Sequence, residues 1–292
     1  MTTTDLFNDI RRYLKADWAH FYGKKSARDW RPSHAYRVAF NKLYFGDTEH
    51  SDVEVGAYFD AIVGGAEAMV MDPESHIVSQ ANEMDLIIEP IEALHPTTVV
   101  DAGCGVGLTL GFLATRYPQT RFVGYDLSNR SIDRARQRIA YLGCKNVELF
   151  VASHEQAANR IKDANLVFTE NSYSNRLELF AVGSQFPTVE SWLVFAMSDR
   201  TTREYGMRLR WFAKMLAHSG TYLCVQPMLG DHSAIFMLYC KIVGLVKNET
   251  IRRLLPSETR DAAGYEQAVT DIMVFRKTGV VNREFLDRFG YG

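Results

Sequence analysis

Residues 97 to 128 constrain this chain more than any other stretch. Thr97, Thr98, Val99 and Val100 lead into Asp101, and Gly103, Gly105 and Gly107 then alternate through a short loop. A helical segment follows, after which Phe122, Val123, Gly124 and Tyr125 lead into Asp126. The β-branched pair directly before Asp101 predicts a buried parallel strand, and Leu108 to Tyr117 predicts a helix stopped at Pro118. The stretch therefore reads as one βαβ unit with an acid at the tip of each strand. Glycine has no Cβ, so the loop positions can take φ > 0 and lay backbone N–H groups against a ligand beside a helix N-terminus.

The spacing separates three kinds of nucleotide-type site. A phosphate-cradling P-loop needs Lys then Ser or Thr after its last glycine, whereas Leu108 and Thr109 follow Gly107. A nicotinamide or flavin fingerprint needs Gly-x-Gly-x-x-Gly, and no glycine falls in that register. What stands is Asp101-x-Gly103-x-Gly105-x-Gly107 with Asp126 placed 23 positions after Gly103. This resembles the first two motifs of the class I, seven-stranded S-adenosylmethionine-dependent methyltransferases.

The resemblance implies an α/β fold: a Rossmann-like, mostly parallel sheet with helices on both faces, plus an N-terminal helical lid or cap. It implies S-adenosylmethionine as cofactor, with Gly103, Cys104, Gly105 and Gly107 against its methionine and ribose. Asp101 would reach the amino group, and Asp126, with Leu127 beside it, the ribose hydroxyls. The chemistry of the residues agrees. The ligand has no phosphate, a carboxylate attracts its ammonium, and one carboxylate can accept from two vicinal hydroxyls.

Composition narrows the partners. Thirty-three basic against 35 acidic residues leave a net charge of −2, which gives no overall electrostatic footprint for nucleic acid or an anionic membrane. The four cysteines show no Cys-x-x-Cys spacing, so reduced thiols in a cytoplasm are expected and no metal site. The longest apolar run, Ala234 to Val246, is interrupted by Lys241 and falls short of the roughly 20 residues a span requires, so no membrane span is expected. A homodimer is compatible with all of this.

Along the chain, residues 1–96 read as helices and 97–292 as the domain that the resemblance implies. Helical spacing runs to Gly23, again from Ser33 to Gly46 and from Val53 to Val70, and Asp72-Pro73 opens a helix through Leu94 that Pro90 should kink. The first 60 positions hold 12 of the chain's 35 aromatic residues, either as glue for a packing layer or as the lid of a substrate pocket. Ser128 should cap a helix stopped at Gly143, with a third strand at Val147 to Val151. At its tip, where relatives often carry an acid for the adenine, stand Ala152, Ser153, His154 and Glu155, so Ser153 or Glu155 is the candidate there. A fourth strand ends in Glu170, Asn171, Ser172 and Tyr173, lacking the Pro-Pro pair of enzymes that methylate nucleic-acid bases.

An insertion of about 174–200 follows. Thr201 with Glu204 suggests a helix start, the fifth strand runs from Thr221 to Val225, and His232 opens the next helix. Lys247 to Glu258 looks helical, Ala268 to Arg276 alternates as a final strand, and the sixth strand has no evident site. Methyl transfer from a sulfonium depends first on positioning, worth on the order of 7–11 kcal/mol, against roughly 10²–10⁴-fold for a general base. The candidates for a base are Glu170, Tyr173, His154 and His232, with Glu170 also a cofactor contact. The acceptor expected is a small, partly apolar or aromatic metabolite. The alternatives are a non-catalytic cofactor-binding scaffold and a protein methyltransferase.

Overall fold

The computed structural model describes residues 3–21, 56–57, 60, 75–170, 200–227, 240–253 and 270–278. Two helices come first, α1 (Thr3–Phe21) and α2 (Ser75–Leu94). Strand and helix then alternate: β1 (Thr98–Ala102), α3 (Leu108–Arg116), β2 (Arg121–Asp126), α4 (Asn129–Leu142), β3 (Val147–Val151), α5 (His154–Arg160) and β4 (Ala164–Glu170). Helix α6 (Arg200–Met215) leads into β5 (Leu216–Pro227), and β6 (Leu245–Arg253) and β7 (Thr270–Lys277) complete the order.

These strands form one seven-stranded sheet in the order β3-β2-β1-β4-β5-β7-β6. The first five are parallel, while β7 runs antiparallel to both β5 and β6. Period-two alternation sends Val99, Phe122, Leu166 and Phe168 to one face, where they share a core with α1, α2, α3 and Ile132 of α4. Val100, Val123, Tyr125 and Val167 go to the other, under α5 and α6. Both faces are covered, as the near-continuous apolar runs of the parallel strands require.

Local chemistry explains the boundaries. Ser128 accepts the Ser131 N–H at 3.0 Å as the N-cap of α4, and Gly143 closes that helix in the left-handed region at φ 70°. Pro90 lies inside α2, which continues to Leu94. Helix α5, unread in the sequence, starts from a capping box in which Ser153 and Gln156 exchange side-chain to backbone bonds. Helix α6 begins at Arg200, ahead of the start read at Thr201.

One element is corrected outright: Lys247 to Arg253 is not helical but lies in β6, the sixth strand. Its pairing with β7, from Leu245 opposite Lys277 to Arg253 opposite Thr270, supplies a ladder that local propensity does not announce. The helix read at Ser33 to Gly46 and the insertion through residue 199 lie outside the described residues. Among the described residues no helix is long and apolar enough to cross a membrane.

Helix α1 docks through an apolar stripe of Leu6, Ile10 and Leu14. It ends in a buried ion pair. Asp17 and Arg138 of α4 retain only 2% and 1% of their side-chain exposure, and Nε and Nη2 of Arg138 donate to the two carboxylate oxygens at 2.7 and 2.9 Å. The sequence hinted at this pair only by setting a charge at helical spacing within each apolar stripe, Asp17 after Ile10 and Leu14, and Arg138 after Ile132 and Ala135.

Candidate functional site

Three neighbouring strands, β2, β1 and β4, carry an acid at or next to the carboxyl end. Asp126 shares the face of Phe122, Asp101 that of Val99, and Glu170 that of Leu166 and Phe168, so alternation sends all three to the α3 side of the sheet. In an open α/β sheet this is the crevice where ligands bind.

Asp101 is 3% exposed, and no hydrogen-bond donor among the described residues reaches its carboxyl. Burial, then the charges of Glu170 and Asp126, push that carboxyl well above the usual range. A buried unpaired acid is costly unless something compensates it. Glu170 is held in place, its Oε2 accepting the Thr109 hydroxyl at 2.7 Å.

The glycine loop closes between these acids. Gly103, Gly105 and Gly107 stand at φ 85°, 50° and 72°, all in the left-handed region. The N–H groups of Gly103 and Cys104 both donate to Tyr125 O, which ties the loop to β2. Asp126 takes one backbone N–H on each oxygen, Gly105 at 3.0 Å on Oδ2 and Ser128 at 2.8 Å on Oδ1. Burial raises its carboxyl, and those two N–H bonds pull the other way. The Cys104 thiol is buried and pushed up, which makes it an inert packing group.

The glycines differ in what surrounds them. A Cβ at Gly105 would meet nothing within 4 Å, whereas one at Gly107 would fall 2.9 Å from Cβ of Ala135 on α4. Gly105→Ala should therefore cost only the left-handed backbone term, about 1–2 kcal/mol, while narrowing the space where a ligand lies along the loop. Gly107→Ala should cost more than this, because Ala135 stands on a packed helix. Urea midpoints of the two variants check the order, which a milder effect at 107 would contradict.

Asp60, unmarked in the sequence, is a further acid at the site. Its Oδ1 accepts both the Ser128 hydroxyl and the Arg130 N–H, 2.9 Å for the latter, and a Cβ at Gly56 would lie 2.7 Å from Leu127 O. Gly56 and Asp60 thus lie against Leu127 to Arg130, next to Asp126.

The other candidates fall elsewhere. His154 is corrected as a base: its Nδ1 is 2.9 Å from Tyr125 OH, on the opposite face from the acids, with its ring edge-on to Phe212. Burial, with Arg208 adding to it, pushes it down to about 3, so it stays neutral. The Ser153 oxygen accepts the Gln156 N–H and Glu155 is exposed. Tyr173 and His232 lie outside the described residues. Among the described residues no three His, Cys, Asp or Glu side chains are grouped as metal ligands.

Chemically, a crevice lined by three carboxylates repels a pyrophosphate and attracts a cation. An open, N–H-bearing loop and a carboxylate with lone pairs left over suit a hydroxylated cationic ligand.

Residues 99–181 match a family model described as a methyltransferase domain. Among solved structures, a putative O-methyltransferase from Nostoc punctiforme is 14% identical over 83% of this chain and 67% of its own, with a TM-score of 0.50. The magnesium protoporphyrin IX methyltransferase of Synechocystis, solved with bound S-adenosylmethionine, is 12% identical over 91% and 97%, with a TM-score of 0.47. A SAM-dependent methyltransferase of Aquifex aeolicus is 11% identical over 78% and 100%, with a TM-score of 0.44. No curated protein matches the sequence.

Proposed function

We propose that this chain, whose residues 99–181 match a methyltransferase-domain model, is a class I S-adenosylmethionine-dependent methyltransferase whose methyl acceptor is a small, partly apolar or aromatic metabolite. The observation that carries the cofactor assignment is Asp101, a buried carboxyl that no hydrogen-bond donor among the described residues reaches, beside an open glycine loop. Such a group suits the ammonium of S-adenosylmethionine. The backbone from Gly103 to Gly107 would lie along the cofactor. Asp126, oriented by Gly105 and Ser128, would accept from its ribose hydroxyls.

The cofactor supplies a methyl group already activated on a sulfonium. The chain's own part is to orient that methyl, hold the acceptor in line and exclude water. Glu170, fixed by Thr109 at the tip of β4, is the described residue best placed to orient the acceptor or take its proton. Residues 1–96 would supply the acceptor-facing wall of the 97–292 domain, a reading supported by the docking of Gly56 and Asp60 on the loop after β2. Near-neutral overall charge favours a small acceptor over nucleic acid.

Incubating the protein with methyl-labelled cofactor and a metabolite extract tests the acceptor. Label in an acid-soluble product that separates from the cofactor by chromatography is expected. Label in precipitated protein would instead mark a protein methyltransferase, and label in neither would mark a binding module.

Asp101 also sets a pH dependence. Among the described residues Cys104, Tyr125, Asp126 and Glu170 lie around it, and none of them is a cation. Because its carboxyl is raised in the fold, it favours the folded state fully below its unfolded value, and that contribution fades as pH rises through the folded one. A bound ammonium needs the charged carboxylate, so binding expels a proton. Cofactor affinity should rise with pH, by up to about tenfold per unit below the value in the free protein. Calorimetry in two buffers of different ionisation enthalpy should show the proton; identical heats and a flat pH profile would contradict it.

A further inference from the structure

The buried Arg138 does more than pair with Asp17. Its third arm, Nη1, donates to the carbonyl oxygen of Val106, the residue between Gly105 and Gly107. A trans peptide is planar, so fixing the Val106 carbonyl also fixes the Gly107 N–H on its far side, which donates to Cys104 O at 2.9 Å. The two flanking glycines stand at φ 50° and 72°, positions where the backbone has the most freedom to swing away. Next to this contact the Tyr13 hydroxyl of α1 donates to Leu108 O at 2.8 Å. Helix α1 thus reaches the loop from behind, once through Tyr13 and once through the Asp17–Arg138 pair.

We infer that Arg138, oriented by Asp17, is a positioning residue that holds the Gly105–Gly107 backbone in its cofactor-binding conformation. The inference rests on the cofactor reading above. Both side chains are buried, 121 positions apart, and their bidentate geometry aims the remaining arm of a rigid, planar guanidinium at one carbonyl. A lysine carries its three N–H donors on one nitrogen and cannot present a fork to both carboxylate oxygens while a separate arm reaches that carbonyl.

The test separates holding the loop from holding the fold. In the double variant Arg138→Met/Asp17→Leu both charges leave together and are replaced by apolar groups of similar bulk, a change buried pairs often tolerate. The melting transition should stay near that of the wild type. S-adenosylmethionine affinity should fall about tenfold, the size of one charge-assisted hydrogen bond, with KM for the cofactor raised and kcat at saturation unchanged. Amide exchange at Gly105 and Gly107 in the ligand-free protein should quicken while the strands keep their protection. A folded variant with unchanged affinity and unchanged loop exchange overturns the inference. Should the double variant not fold, Arg138→Lys, which keeps a charge opposite Asp17, is expected to show the same split, and wild-type behaviour there overturns it equally. Loop exchange is read without cofactor, so a wild type that ignores S-adenosylmethionine sinks the cofactor reading and leaves this one still tested.

Discussion

Asp17→Ala should cost the fold about 3–5 kcal/mol, a large part of the 5–15 kcal/mol that holds a typical domain together. The size comes from what is left behind. Arg138 is 1% exposed and cannot lose its proton, so without Asp17 a full positive charge stays buried with its two best acceptors gone. Water cannot reach it without opening the seam between α1 and α4, where Phe21 lies 4.7 Å from the guanidinium. A fall in the urea midpoint at unchanged slope would show the loss. A change below about 1 kcal/mol would mean that the guanidinium finds another partner, and that the pair contributes no more than an exposed one.

Asp126→Ala should weaken S-adenosylmethionine binding by about 100-fold or more. Each hydroxyl hydrogen bond to a charged acceptor contributes roughly 1.5–3 kcal/mol, and two are lost together, with water recovering part of the difference. The loop suffers as well, because the N–H groups of Gly105 and Ser128 lose their acceptor. Asp126→Asn should fall between: its amide offers one oxygen where two N–H groups converge, and its NH₂ would confront one of them. Titration calorimetry on both variants, beside their melting temperatures, separates affinity from stability. Wild-type affinity in Asp126→Ala would place the ribose somewhere else.

How much of this was legible beforehand follows the range of the interactions involved. The β1-α3-β2 unit, the Ser128 cap, the Gly143 stop and the limits of β3 are fixed by neighbours a few residues away, and the sequence reading places them correctly. The three acids were legible too, because strand alternation and strand ends follow from the same local pattern. Strand β6 was not, since its partner β7 lies beyond a stretch of intervening chain and Lys247 to Arg253 carries no clean alternation. His154 looked like a base because it follows a strand tip. Its actual place depends on Tyr125 and Phe212, brought together only by the fold. The same holds for Asp17 and Arg138 and for Asp60 on Ser128, contacts spanning 121 and 68 positions. In each case the residue type was visible, and the partner that gives it meaning was not.

The central claim is that the glycine loop and its acids hold S-adenosylmethionine. Titrating that molecule, and in parallel its demethylated product, into the purified wild-type protein tests it most directly. One-to-one saturable binding of both, weakened about 100-fold or more in Asp126→Ala, is the predicted result. Absence of any saturable heat with either molecule up to millimolar concentration, from a protein that melts cooperatively, would contradict it.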